Sequence, residues 1–185
     1  ILYVIDDMGI GGAQKQIAET VNRIDPGAFQ CDIACITSGG PTLQKIRDAG
    51  EVYVLGAGKM YDPAGAGAAL RLASIVRSGR YAIVEAYLPM AHFLCATAVI
   101  GLRNTALVAA VRQAAWLDPL WMDAVGPLLK RVTRLSIANS RYVKQSVIER
   151  YRLPGVRVAV IPNFIDTGVP RQDRERLADD VRDPG

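Results

Sequence analysis

Short apolar runs and stretches with helical spacing alternate almost throughout this chain of 185 residues. "ILYVID" at the start, "CDIACIT" at 31–37 and "VYVL" at 52–55 read as strands. So do "YAIVEAY" at 81–87, "ALVAAV" at 106–111, "RLSIAN" at 134–139 and "VRVAVIP" at 156–162. All are short, and most are rich in Val and Ile. Between them, 13–24 carries Ile17, Val21 and Ile24 on one helical face. A short helix is expected from Pro41 to Gly50, since proline opens helices and glycine closes them. Further helices are expected over 70–77, 90–100, 128–132 and 140–150. "GAGKMYDPAGAG" (56–67) reads as a loose segment, and "RQAAWLDPLWMD" (112–123) as an irregular loop bearing Trp116 and Trp121. Apolar strands separated by helices belong to a parallel sheet covered on both faces. The expected fold is therefore α/β, doubly wound and mostly parallel.

Half of the residues are hydrophobic and 22% are charged, which suits one domain with a full core. We expect that domain to occupy 1–165, with 166–185 a linker or the start of a further domain. The polar stretch "RQDRERLADDVRDPG" closes no pattern, and Ile1 already lies inside a strand pattern without an initiator Met. The net charge of +4 is scattered, with a small cluster at Lys130, Arg131 and Arg134. Such a balance is compatible with peripheral contact at an anionic membrane or with an anionic substrate. Nucleic acid is not an expected partner, because basic stripes with interleaved aromatics are absent. Cys31, Cys35 and Cys95 lack metal-site spacing, and the single histidine, His92, is remote in sequence from Cys31 and Cys35, so no metal is expected. The cysteines read as buried thiols in a reducing, cytoplasmic compartment. The longest apolar region, "AHFLCATAVIGL", is too short to span a bilayer.

In an open parallel sheet, ligands sit beyond the carboxyl ends of the strands. Five segments fall there: "DDMGIGGAQ", "SGGP", "YLPM", "RQAAW" and "NSR". The glycines of the first do not complete a dinucleotide fingerprint. G-x-G-x-x-G from Gly9 meets Gln14 where its last glycine should be, and the second strand ends without an acid for a ribose. "GAGKM" (56–60) is not a triphosphate loop, because Tyr53 and Met60 occupy required positions. Two readings remain for Gly11 and Gly12. They cradle a diphosphate at the N-terminus of the following helix, or they only turn the chain.

The residues on which these readings converge resemble a known family. "GGAQKQIAETVNRID", "YAIVEAYLP" and above all "RLSIANSRYVKQSVIERYRLPGVRVAVIPNFID" are similar, in the right order, to the N-terminal domain of family 4 glycosyltransferases. That family has two Rossmann-like domains in the GT-B arrangement. The resemblance implies a retaining transferase that moves a sugar from a nucleotide sugar to a glycan or lipid-linked acceptor. No metal or other cofactor is needed, and the second domain of the same chain holds most of the donor. Gly11, Gly12 and Gln14, at the start of the first helix, are the candidate diphosphate contacts. Arg112 stands where family members often carry a catalytic-site histidine, and Glu85 and Tyr87 stand at the two histidine positions of the fourth-strand motif. Arginine cannot serve as a base, since it stays protonated. Arg112 and Glu85 are nonetheless the candidate catalytic pair, holding a charged group and orienting an acceptor hydroxyl; a structural ion pair is the alternative. Lys15, Tyr87, Trp116, Asn139 and Ser140 are the candidate acceptor contacts, although Lys15 also fits a solvated charge and Asn139–Ser140 a helix cap. Phe164 replaces the family's usual glycine after Asn163. A GT-B nucleotide-sugar epimerase and a non-catalytic binding module of the same fold are the competing readings.

Overall fold

The computed structural model describes residues 1–47, 49–57, 63–114 and 120–164. Seven strands form one all-parallel sheet: β1 (Leu2–Asp7), β2 (Asp32–Ser38), β3 (Val52–Val54), β4 (Ile83–Tyr87), β5 (Ala106–Val111), β6 (Thr133–Ala138) and β7 (Val158–Val160). Their order across the sheet is β3-β2-β1-β4-β5-β6-β7. The chain thus runs outward from β1 to β3, then returns to β4 on the other side of β1. The sheet order reverses at β1 and β4, which is where doubly wound sheets open a crevice.

Among the described residues five α-helices connect the strands: α1 (Gly12–Val21), α2 (Pro63–Ser78), α3 (Pro89–Ala98), α4 (Trp121–Val132) and α5 (Arg141–Tyr151). Alternation along the strands sends side chains to two cores. Leu2, Val4, Val84 and Ala86 meet Leu72 and Val76 of α2, Leu94 and Cys95 of α3, and Met122 and Leu129 of α4. Tyr3, Ile5, Ile33, Cys35 and Tyr87 meet Ile17 and Val21 of α1 on the opposite face. Val143 and Val147 of α5 close a smaller cluster with Ala138 and Val158. The apolar runs are continuous because both sides of the central strands are buried. All three cysteines are buried free thiols.

Three expectations change in detail. The segment expected as a helix over 41–50 is a 3₁₀ turn (Pro41–Lys45) that ends where Ile46 becomes extended. Helix α2 begins at Pro63, inside the segment read as loose, and runs through two glycines, Gly65 and Gly67. Helix α4 begins at Trp121 and accommodates Pro127, although a proline that deep usually breaks a helix. Packing of Met122 and Leu129 into the core outweighs that local cost. Trp121 is accordingly no loop residue: it packs edge-on against Phe93, with ring centroids 5.8 Å apart.

Candidate functional site

The loop between β1 and α1 is held from two sides. Asp7 Oδ1 accepts from the Gly9 N–H at 2.7 Å, a local turn inside the loop itself. From the neighbouring β2 exit, the Thr42 N–H donates to Met8 O at 3.1 Å and the Thr42 hydroxyl to Gly9 O at 2.5 Å. Gly40 lies so close that a Cβ there would collide with the Met8 carbonyl and the Gly9 amide. Its φ of 174° is ordinary extended backbone, so the requirement for glycine comes from that approach alone. Gly12 differs, because a Cβ there meets nothing within 4 Å.

Gly11 is the N-cap of α1 in an extended conformation, with no side chain capping the helix. The first intrahelical bond runs from the Lys15 N–H to Gly11 O at 3.0 Å. The N–H groups of Gly12, Ala13 and Gln14 are thus left at an uncapped positive end. Helix α5 shows the contrast. Ser140 caps it by accepting from the Val143 N–H at 3.2 Å, which occupies the serine's oxygen in structure.

The uncapped end of α1 opens into a cavity of about 330 Å³ at the carboxyl edge of β4 and β5. Gly12, Ala13 and Gln14 form one wall, Leu88 and Pro89 the mouth of α3, and Arg112, Gln113 and Asn163 the wall facing α1. Leu88 holds φ at +75°, a conformation that L side chains rarely adopt and that clusters at functional sites.

Arg112 is the most connected charged group here. Its Nη1 donates to Asn163 Oδ1 at 3.1 Å and its Nη2 to the Tyr87 hydroxyl at 3.3 Å, with the guanidinium 5.2 Å from the Tyr87 ring centre. Asn139 Nδ2 donates to Arg112 O at 3.1 Å and so fixes the backbone from which the guanidinium projects. Two buried atoms of this group, Arg112 Nε and Asn139 Oδ1, have no partner. Glu85 and Arg112 form no direct ion pair; the Tyr87 hydroxyl stands between them, hydrogen-bonded to both. Burial raises the Glu85 carboxyl above its ordinary pKa, opposed by the Tyr87 hydrogen bond and the Arg112 charge.

Among the residues singled out from sequence, Gly12, Gln14 and Arg112 line the cavity together. Gly11 stands one residue behind as the N-cap, and Lys15 is exposed without lining it. Glu85, Tyr87 and Asn139 lie behind the wall that Arg112 presents, and Ser140 caps α5. Trp116 lies outside the described residues.

Several contributors had weaker signals in the sequence. His92 lines the floor; its Nε2 lies 2.8 Å from the Thr133 hydroxyl, and burial lowers its pKa to about 4, so the imidazole is neutral at pH 7. Asp6, half-buried beside Asp7 at the end of β1, is pushed up to about 6 by burial, against the Ala91 N–H that donates to it. Gln16 pairs both amide atoms with the Phe164 backbone: Nε2 donates to Phe164 O at 2.6 Å and Oε1 accepts from its N–H at 2.8 Å. Only a contact 148 residues away in sequence reveals that role. Among the described residues no group of three His, Cys, Asp or Glu could hold a metal, and no helix is long and apolar enough to cross a membrane.

The cavity at the switch point of this parallel doubly wound sheet thus combines an uncapped helix end with an arginine, and both give it positive charge. The family model Glycosyltransferase Family 4 matches residues 10–169, and the chain belongs to that family. The fold is that of GT-B glycosyltransferase domains. It superposes on a glycosyltransferase from Rickettsia africae with a TM-score of 0.69 and 14% identity, covering 98% of this chain and 48% of that one. It superposes on Anabaena HepE, solved with UDP and glucose, with a TM-score of 0.66 and 18% identity, covering 97% and 49%. The UDP-GlcNAc 2-epimerase of Methanocaldococcus jannaschii is also similar, with a TM-score of 0.57 and 11% identity, covering 88% and 45%. The chain therefore spans about half the length of the structures it resembles, as an N-terminal domain does. Comparison with curated proteins gives no significant match.

Proposed function

We propose that this domain is the acceptor-side half of a retaining glycosyltransferase that moves a sugar from a nucleotide sugar to a glycan or lipid-linked acceptor without a metal. The observation that carries the proposal is the single cavity in which the free N–H groups of Gly12, Ala13 and Gln14 face Arg112. As the bond between sugar and diphosphate breaks, negative charge collects on the departing diphosphate. Donors already aimed at that charge stabilise the transition state, each by roughly 3 kcal/mol. The helix end supplies backbone donors and a positive dipole; Arg112, fixed through Tyr87, Asn139 and Asn163, supplies a permanent cation. Tyr87 relays the guanidinium to Glu85, which lies behind it and acts as a positioning group. A second domain holding the base and sugar of the donor closes the other side of the cleft.

The test uses the complete protein, incubated with a panel of nucleotide sugars and acceptor-bearing lipid extract, with free nucleotide as the readout. Release from one donor, lost in Gly12→Val, is the expected result. The variant is informative because its side chain enters open space in the cleft and leaves the packing intact. Absence of both release and nucleotide binding overturns the proposal. Conversion of a donor to an isomer without an acceptor would identify an epimerase on the same fold.

A further inference from the structure

A second concave site lies at the opposite edge of the sheet, where β5 and β6 begin. It has a volume of about 470 Å³ and shares no lining residue with the cavity beside α1. Ala106 and Thr133, the first residues of β5 and β6, are in its lining, with Asn104 and Thr105 from the preceding turn. Since β5 is six residues long, the site stands roughly 20 Å from Arg112 at a rise of about 3.3 Å per residue.

Its charge is one-sided. Arg103, Arg131, Arg134 and Arg157 line it, and no carboxylate among the described residues does. None of the four forms an ion pair with a described acid. Of the four, only Arg157 has a partner among the described residues, its Nη1 donating to Lys130 O at 3.1 Å, which steers that side chain along the end of α4. The other three guanidiniums, all exposed, carry fork-shaped sets of N–H donors with no acceptor among the described residues. Four like charges around one hollow repel each other, and an oxyanion placed among them relieves that repulsion. The guanidinium fork matches paired oxygens on phosphorus.

We infer that this hollow is a binding site for a compact phosphate-bearing anion, such as a diphosphate or a phosphomonoester, separate from the transferase cleft. The inference is independent of the function proposed above. Its concavity suits a small anion, whereas a membrane surface would need a flat or convex basic face.

The test is a titration of the ¹⁵N-labelled chain with inorganic pyrophosphate at low ionic strength, followed residue by residue through the backbone amides. Saturable shifts at Asn104, Thr105, Thr133 and Arg134, complete by about 10 mM, are expected. Shifts at Gly12–Gln14 report the other cavity and are read separately. In the double variant Arg103→Ser, Arg134→Ser the first set should require at least about tenfold more pyrophosphate, because two charge-assisted contacts are lost. The second set should be unchanged, and the thermal midpoint should stay within a few degrees, since both arginines are exposed and neither has a partner among the described residues. Three results each overturn the inference: no movement of the first set, equal movement in the double variant, or equal movement with potassium chloride at matched ionic strength. Binding to phosphatidylcholine–phosphatidylglycerol vesicles without any pyrophosphate shift also overturns it and makes the arginines a membrane contact.

Discussion

Substituting Gly40 by alanine tests the brace that shapes the loop before α1. The added Cβ would overlap the Met8 carbonyl and the Gly9 amide, both backbone atoms that no rotamer change can clear. Because φ is 174°, alanine adopts the conformation freely, and the collision is the only unfavourable contribution. Overpacking of this kind costs about 1–3 kcal/mol. Restricting the unfolded chain returns about 0.5 kcal/mol, so at the middle of the overpacking range the net loss should be about 1–2 kcal/mol. For a domain of this size each kcal/mol moves the thermal midpoint by about 2–4 °C, which gives a fall of about 2–8 °C. Gly12→Ala is the matched control. It adds the same methyl to a first-turn helical position with open space around it, so its midpoint should hold or rise slightly. Differential scanning calorimetry of both variants at pH 7 is sufficient. Equal midpoints for Gly40→Ala and the parent chain would refute the brace and free the loop to adopt other shapes.

Neutral His92 contributes stability above the unfolded histidine pKa of about 6.5, and that contribution is lost as pH falls toward its folded value of about 4. The parent chain should lose about 2 kcal/mol by pH 5 relative to His92→Gln, measured by urea unfolding at several pH values; parallel curves would show that the imidazole is not buried neutral. In the complete protein, Arg112→Ala should lower turnover by about 10²-fold, with Arg112→Lys recovering little, because a point charge cannot reproduce the fork held by Tyr87 and Asn163. Normal turnover in Arg112→Ala would remove the residue from the site. Ser140→Ala should cost about 1 kcal/mol of stability through the lost α5 cap while leaving turnover unchanged; a turnover defect without a stability loss would make Ser140 a substrate contact.

The strands were readable from sequence because their signal is local. Each of the seven apolar runs overlaps a strand; in the central strands this follows because a strand buried on both faces must be apolar at nearly every position, while the edge strand β3 keeps Val52 and Val54 exposed. The glycines of "MGIGGAQ" likewise announced a strand-to-helix turn, and the motif order pointed to the family. Helix limits were less readable, because they depend on packing. Pro127 and the glycines of α2 argue locally against helix, yet burial of Met122, Leu129, Ala68 and Leu72 overrides them. Trp121 follows the same logic, its ring being drawn to Phe93 when α4 extends to include it.

What the chain by itself determined, then, is a parallel α/β sheet and the set of strand ends from which any site must be built. Tertiary structure decided how those ends meet. Sequence places Gly40 and Thr42 about thirty residues from the loop they brace, Gln16 far from Phe164, and Arg112 far from both Tyr87 and Asn163. Parallel pairing brings these segments to one edge, and the reversal of strand order between β1 and β4 opens the space they surround. The physical reason is that strand and helix identity follows from burial period along a segment, whereas a site depends on distances between segments. Those distances are set only when the whole sheet closes on its two cores.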